Sequence, residues 1–331
     1  MVLKELINKG VQTISVLYPE REAREMVMLY LEDCHGIRRL THILEPSFEV
    51  SEQVVSAALE AFDRMASGEP IQYIIGKAHF YGRDFKVSPA VLIPRPETEI
   101  LCREVKTRLG AMCAEVAFCH PRLGGGAHEV GGGHWSTWHQ AQDNGPLRIL
   151  DLCTGSGCIA WTLALEIPGT EVTAVDISEE ALAVASSQDF TEEMARTGAH
   201  APRFIKADVL AGPLEELGQF DIIVSNPPYV MDSEKSLMRS NVLDHEPHLA
   251  LFVPDDDPLV FYRAVAQWAD ALLAPDGSGM VEINEALGFQ TAHVYTSAGY
   301  DSVDVLSDLS DRSRFVTFRK LQSAENLSDF L

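Results

Sequence analysis

Nowhere does this chain run apolar for the roughly 18 residues that a membrane-spanning helix requires, so neither such a helix nor a membrane partner is expected. Cysteine is also scarce. Six in 331 residues are too few for a disulfide scaffold, and reduced thiols follow. The third shortage is positive charge. Lys and Arg number 26 against 49 Asp and Glu, a net charge of −23, and so acidic a surface repels phosphate backbones, which argues against direct nucleic-acid binding. The opening Met1-Val2-Leu3-Lys4-Glu5-Leu6 carries an early acid and no basic stretch leading into an apolar one. No signal or transit peptide is expected there, and the expected compartment is the cytoplasm. What the chain has instead is core: with 46% hydrophobic and 23% charged residues a sizeable core, not a disordered chain, is expected. At about 150 residues per domain, the length suits about two domains.

The first seventy residues read as helices. Ala23, Val27, Tyr30, Leu31 and Cys34 recur at helical spacing, with Gly36 placed to end the run. Ser51 is placed to cap a second helix with the stripe Val55, Ala58, Leu59, Phe62 and Met65, stopped by Gly68. A small helical bundle results. From Ile71 to Ile93 the period changes: Tyr73, Ile75, Phe80, Phe85, Val87, Val91 and Ile93, punctuated by Gly76, Gly82 and Pro89, suggest a β-hairpin. After a helix starting near Glu97, residues 112–145 have two glycine triplets and no clear period, and read as a long flexible loop. Cys113, Cys119, His120, His128, His134 and His139 fall there, but their spacing fits no zinc pattern, so a plain insertion and no metal are expected. From Leu147 onward strands and helices alternate, with strands at 148–152, 171–176, 203–206, 221–225, 279–283, 302–306 and 315–319. Alternation of this kind implies a parallel sheet covered on both faces. The short link 307–314 makes the last two strands antiparallel.

Two turns carry the chemistry. Asp151-Leu152-Cys153-Thr154-Gly155-Ser156-Gly157-Cys158 runs from a strand through a glycine-bearing turn into a helix, where a ligand can approach the backbone and find free N–H groups. Such a turn alone is equally a structural feature. Asp176 at the tip of the next strand, able to accept both ribose hydroxyls, points to an adenosine-type cofactor, while the incomplete G-x-G-x-x-G weighs against NAD. Asp208 could meet the adenine amino group or cap a helix. The second turn is Ser225-Asn226-Pro227-Pro228-Tyr229, after the fourth strand. Two prolines fix φ and remove N–H donors, leaving carbonyl acceptors in a rigid frame. With the Asn226 side chain as a second acceptor and the flat face of Tyr229, this describes a pocket for a planar conjugated NH₂ group.

The D-x-x-T-G-S-G turn followed by Asn-Pro-Pro-Tyr resembles the signature of S-adenosylmethionine-dependent amino methyltransferases. More closely, the chain resembles the HemK/PrmC family, the glutamine methyltransferases of peptide chain release factors. Further matching segments are 68–76, with Gly68, Pro70, Tyr73 and Gly76; 91–99, with Pro94, Arg95, Pro96, Glu97 and Thr98; Glu246-Pro247 with Phe261-Tyr262-Arg263; and Asp311-Arg312-Ser313-Arg314-Phe315. The stretch Leu243–Pro254 looks like bacterial members of Bacteroidetes type. The resemblance implies an α/β fold: a class I, Rossmann-like methyltransferase domain over 97–321, interrupted by 112–145, a helical recognition domain over 1–70 and a hairpin linker over 71–96. It implies S-adenosylmethionine held by Asp151, Cys153, Thr154, Gly155, Ser156, Gly157, Asp176, Ile177, Asp208, Val209 and Asn226. Catalysis falls to Asn226, Pro227, Pro228 and Tyr229, which with Arg95, Glu97 and Thr98 would also meet the substrate. Arg95, Glu97 and Thr98 equally suit a helix-capping cluster. The implied substrate is the glutamine of the Gly-Gly-Gln loop in class I release factors, and a monomer is expected. Cys153 stands where many members have glycine, and Val209 where an aromatic often packs on adenine.

Two rivals remain. Adenine N-methylation in DNA or RNA uses a similar motif but needs an electropositive channel for a flipped base, which this composition does not favour. A non-catalytic S-adenosylmethionine-binding adaptor would have no use for an amide-holding Asn-Pro-Pro-Tyr turn.

Overall fold

The computed structural model describes residues 1–119, 145–308 and 310–319. Helices Leu3–Ile14, Glu20–His35 and Glu52–Ala66 pack around Leu6, Ile14, Val27, Leu31, Phe62 and Met65, all essentially solvent-free. Gly36, at φ 66°, ends the second helix, and its N–H donates to the Glu32 carbonyl at 2.9 Å. Ser51 Oγ accepts from the Val54 N–H. Gly10 has a role that local pattern does not reveal. A Cβ there would lie 2.6 Å from the Phe62 ring, so the crossing of the first and last of these helices depends on a bare backbone.

The segment after the bundle corrects the sequence reading. Residues Ile71–Ile75 form one helical turn rather than a strand. The apolar residues there fit either period; Pro70 before the turn and Gly76 after it, at φ 80°, frame a helix. The hairpin is confined to β1 (Lys77–Phe80) and β2 (Arg83–Lys86), paired antiparallel. Val87, Val91 and Ile93 are buried without belonging to a strand, packed with Tyr73 against Ala181. Phe80 and Phe85 are fully buried in the α/β core, so the hairpin is part of that core.

A second correction concerns the insertion. The helix Thr98–Cys119 continues eight residues into the expected loop, because 111–119 contain good helix formers and neither Gly nor Pro. The remainder, including His120, His128, His134 and His139, lies outside the described residues. Among the described residues no three His, Cys, Asp or Glu side chains form a metal-binding group, and Cys34, Cys102, Cys153 and Cys158 are free thiols.

The α/β part is a seven-stranded sheet built from β3 (Arg148–Leu152), β4 (Glu171–Asp176), β5 (Arg203–Lys206), β6 (Phe220–Ser225), β9 (Leu273–Glu282), β10 (Ser302–Ser307) and β11 (Ser313–Arg319). Strands β7 (Val230–Met231) and β8 (Phe252–Val253) pair separately. The order is β10-β11-β9-β6-β3-β4-β5, and only β11 runs against its neighbours. Alternate residues feed opposite faces: Ile149, Ile222 and Val224 join Trp161 and Phe315, while Leu150, Leu152 and Ile223 join Trp268 and Tyr295. The strand order reverses between β3 and β6, which opens a crevice at their carboxyl ends. Both chemical turns lie there, tied together where Ser225 Oγ donates to the Leu152 carbonyl at 2.7 Å.

Candidate active site

The turn after β3 is held by backbone. The Thr154 N–H donates to the Val175 carbonyl at 3.0 Å, and the N–H groups of Gly155 and Ser178 donate to the two carboxylate oxygens of Asp176 at 2.8 and 3.0 Å. The backbone takes positive φ at Cys153 (62°), Gly155 (55°) and Gly157 (78°). Glycine occupies two of these and Cys153 the strained third. Gly157 caps the helix Cys158–Glu166, whose free N–H groups begin the next wall. Ser178 accepts from the Ala181 N–H and starts the helix Glu179–Ser186. Asp151 lies beneath the turn, fully buried. Its Oδ2 accepts from Thr154 Oγ1 at 2.6 Å, Oδ1 has no hydrogen-bond partner, and burial pushes the carboxyl up to about 7. Burial also raises the Asp176 carboxyl, against the pull of the N–H groups it accepts from.

The turn after β6 is held by side chains from distant strands and helices. Asn226 Nδ2 donates to Thr98 Oγ1 at 3.1 Å, and Thr98 Oγ1 donates to Glu282 Oε2 at 2.7 Å. Tyr229 Oη donates to Glu282 Oε1 at 3.1 Å. Thr98 and Glu282 are each only 2% exposed. Burial raises the Glu282 carboxyl, and burial together with that carboxylate pushes the Tyr229 hydroxyl far above its ordinary value. Asn284 Nδ2 donates to the Tyr229 carbonyl and to Glu234, bracing the following residues. Across the opening, Arg95 is paired with the buried Glu246 at 2.7 Å, and Glu246 also accepts the Ile93 N–H.

These elements enclose a cleft of about 400 Å³. Of the residues expected from sequence, the structure brings Cys153, Thr154, Gly155, Ser156, Asp176, Ile177, Asp208, Val209, Asn226, Pro228, Arg95 and Thr98 to its wall. Five do not line it: Asp151 and Gly157 support the turn from below, Pro227 is buried, Glu97 is exposed, and Tyr229 turns its hydroxyl to Glu282. The flat face expected of Tyr229 therefore packs with the core beside β9, because a buried phenol needs a polar partner and Glu282 supplies it. Asp208 caps a short turn through the Leu210 N–H, as one of its two expected roles required, and also lines the cleft. Sequence reasoning missed Glu282. The signal was an acid closing the apolar run Met280-Val281 at the ligand-bearing edge of the sheet.

The cleft suits S-adenosylmethionine. Asp176 offers an acidic end beside the backbone turn, and Val91, Leu92, Val209 and Leu210 supply apolar surface for a flat base.

Comparison with known proteins agrees with this architecture. Residues 5–76 match the PrmC N-terminal domain family, and 139–248 match the Methyltransferase small domain family. The chain is 36% identical over 307 residues to the release factor glutamine methyltransferase of Bacteroides thetaiotaomicron, covering 92% of this chain and 96% of that protein. With the protein of the same name from Flavobacterium psychrophilum it shares 33% identity over 323 residues, 96% of this chain and 100% of the relative. The Koribacter versatilis release factor glutamine methyltransferase is 36% identical over 301 residues, 91% of each chain.

Proposed function

This chain belongs to the release factor glutamine methyltransferase family, and from that premise we propose that it methylates the side-chain amide nitrogen of the glutamine in the Gly-Gly-Gln loop of class I peptide chain release factors. The enzyme is S-adenosylmethionine-dependent, and that cofactor supplies a methyl group activated on a sulfonium. Asp176, the backbone turn 153–157 and the apolar walls at Val91 and Val209 would hold it.

The observation that carries the reading is the orientation of Asn226. With Nδ2 committed to Thr98, Oδ1 is left as an acceptor at the carboxyl end of β6. An amide nitrogen is a poor nucleophile because its lone pair is delocalised into the carbonyl. Asn226 Oδ1, from a residue that lines the cleft, accepting one of its hydrogens would orient the nitrogen and favour the positive charge that develops there, while the rigid Pro227-Pro228 backbone holds Asn226 in place. The nitrogen gains the methyl and releases one proton to water. The helical residues 1–70 would present the docking surface for the folded release factor, the segment 71–96 joins them to the transfer domain over 97–321, and the monomeric enzyme works in the cytoplasm. The −23 net charge disfavours a polyanionic substrate.

Incubation with methyl-labelled S-adenosylmethionine and purified release factor, followed by mass mapping, tests the proposal. Label on the Gly-Gly-Gln glutamine is the expected result. Label in DNA or RNA but not in release factor, at low salt, would replace it with adenine methylation.

A further inference from the structure

We infer that Glu282 and Thr98 are positioning residues which fix the polarity of the Asn226 amide, so that a buried carboxylate decides whether an acceptor or a donor faces the substrate. This rests on the reading that Asn226 holds the acceptor amide. The argument is one of proton counting along a chain of three contacts. A carboxylate only accepts. Glu282 therefore takes the Thr98 hydroxyl proton on Oε2 and the Tyr229 hydroxyl proton on Oε1. Having given its only proton to Glu282, Thr98 Oγ1 can only accept from Asn226, which forces Nδ2 toward Thr98 and Oδ1 away from it.

A neutral acid at 282 removes that constraint. It can donate to Thr98, Thr98 can then donate to Asn226 Oδ1, and the amide turns to present Nδ2 to the cleft. An N–H donor would then face the N–H groups of the substrate, and the hold on it is lost. The groups that face Glu282 are Thr98 from the helix Thr98–Cys119, Tyr229 from the turn, Arg314 from β11, Glu97 from the segment before the helix, and the neighbouring Cys158 and Tyr262. Arg314 and the two hydroxyls favour the charged carboxylate, while burial and Glu97 oppose it. The polarity is thus held against a desolvation cost, as expected of a group kept for its charge and not for packing.

The test uses the full-length enzyme with the near-isosteric E282Q, with T98V and with T98S. Glutamine can offer Thr98 either an oxygen or an NH₂ group, so E282Q should lower kcat about 10- to 100-fold, somewhat less than outright loss of an oriented hydrogen bond. S-adenosylmethionine affinity by calorimetry should stay within about twofold. T98V should fall similarly, and T98S should restore most of that loss. In wild type, kcat should decline on the acidic side as Glu282 takes up a proton, and E282Q should lack that limb.

An independent reading comes from the side-chain amide protons of Asn226, assigned by their absence in Asn226→Ala. They should show a nuclear Overhauser effect to the Thr98 methyl in wild type, lost in E282Q. Unchanged kcat, or an amide still directed to Thr98 in E282Q, would overturn the inference. So would equal loss of kcat and cofactor affinity with the amide contact intact, since that marks a merely structural role. A wild-type enzyme that shows the amide contact but leaves release factor unlabelled would uphold the positioning and overturn the substrate assignment.

Discussion

The two turns at the carboxyl edge of the sheet lie side by side yet are built on opposite principles. The one after β3 is fastened mostly through its backbone, within the turn and to the neighbouring strand: Thr154 to Asp151, Gly155 to Asp176, and positive φ at three of its residues. The one after β6 is fastened by remote side chains, with Asn226 bonded to Thr98 across a sequence separation of 128 and Tyr229 to Glu282 across 53. A local turn can shape itself around a ligand's backbone-facing atoms wherever the strand ends. A turn that must present one oriented acceptor needs a rigid frame, which prolines and partners on other elements provide. Damage to the first should therefore appear in cofactor affinity, and damage to the second in turnover.

The sharpest break between the two is Asn226→Ala. Loss of one oriented acceptor should reduce kcat by about 10²–10³-fold, with cofactor affinity by calorimetry changed little. A comparable loss of cofactor affinity would mean that the two turns do not divide the work.

Asp176→Ala should do the reverse. Removing a charged hydrogen-bonding group that lines the cleft should weaken S-adenosylmethionine binding by about 1.5–3 kcal/mol, with saturated kcat less affected. Because Asp176 also accepts the Gly155 and Ser178 N–H groups, the melting temperature should drop too. Unchanged calorimetric affinity would remove Asp176 from the cofactor's contacts.

Asp151 sharpens the comparison through pH. Its folded carboxyl is raised to about 7 by burial, above the roughly 3.9 of an unfolded aspartate. Between those values the folded state holds more protons than the unfolded one, so this group's contribution to stability declines as pH rises through that window and levels off above it. Asp151→Asn should relieve the penalty, raising stability by about 1–3 kcal/mol at pH 8 and hardly at all at pH 4. Denaturant melts at the two pH values measure it, and an equal effect at both would show that Asp151 does not titrate in this way.

The contrast also explains what the sequence could and could not tell. Gly36, Ser51 and Gly155 sit where local rules put them, because caps and left-handed positions depend on neighbours a few residues away, and Asp176 was legible as the polar tip of the next strand. The alternation of strands and helices, and the antiparallel last pair, were legible for the same reason. Glu282 as the anchor of Tyr229, and Gly10 as the seat for Phe62, depend on which strands and helices become neighbours, which no local pattern states. The misreadings at 71–75 and 112–119 have a different origin. A short apolar run fits both periods, and a stretch free of Gly and Pro is easily propagated from a helix already formed.

Cys153 gives the smallest and most local test. It is a non-glycine residue at φ 62° between β3 and two positive-φ glycines, a conformation in which a Cβ is strained by about 1 kcal/mol. Its side chain is half-buried against the core cluster containing Leu152 and Val209, so part of that cost is offset by packing. Cys153→Gly releases the strain but loses the packing and adds unfolded-state freedom. The net should be a gain of about 0.5 kcal/mol, roughly 1–2 °C in Tm for a domain of this size. Cofactor affinity should hold or improve slightly, because the turn still carries the Gly155 N–H to Asp176, and kcat should not move, because the bond from Ser225 to the Leu152 carbonyl that ties the two turns needs no Cys153 side chain and the Asn226 acceptor is held by Thr98. A fall in Tm of several degrees would show that the thiol's packing outweighs its backbone strain. A fall in kcat at saturating cofactor would break the division between the two turns at its most conservative point.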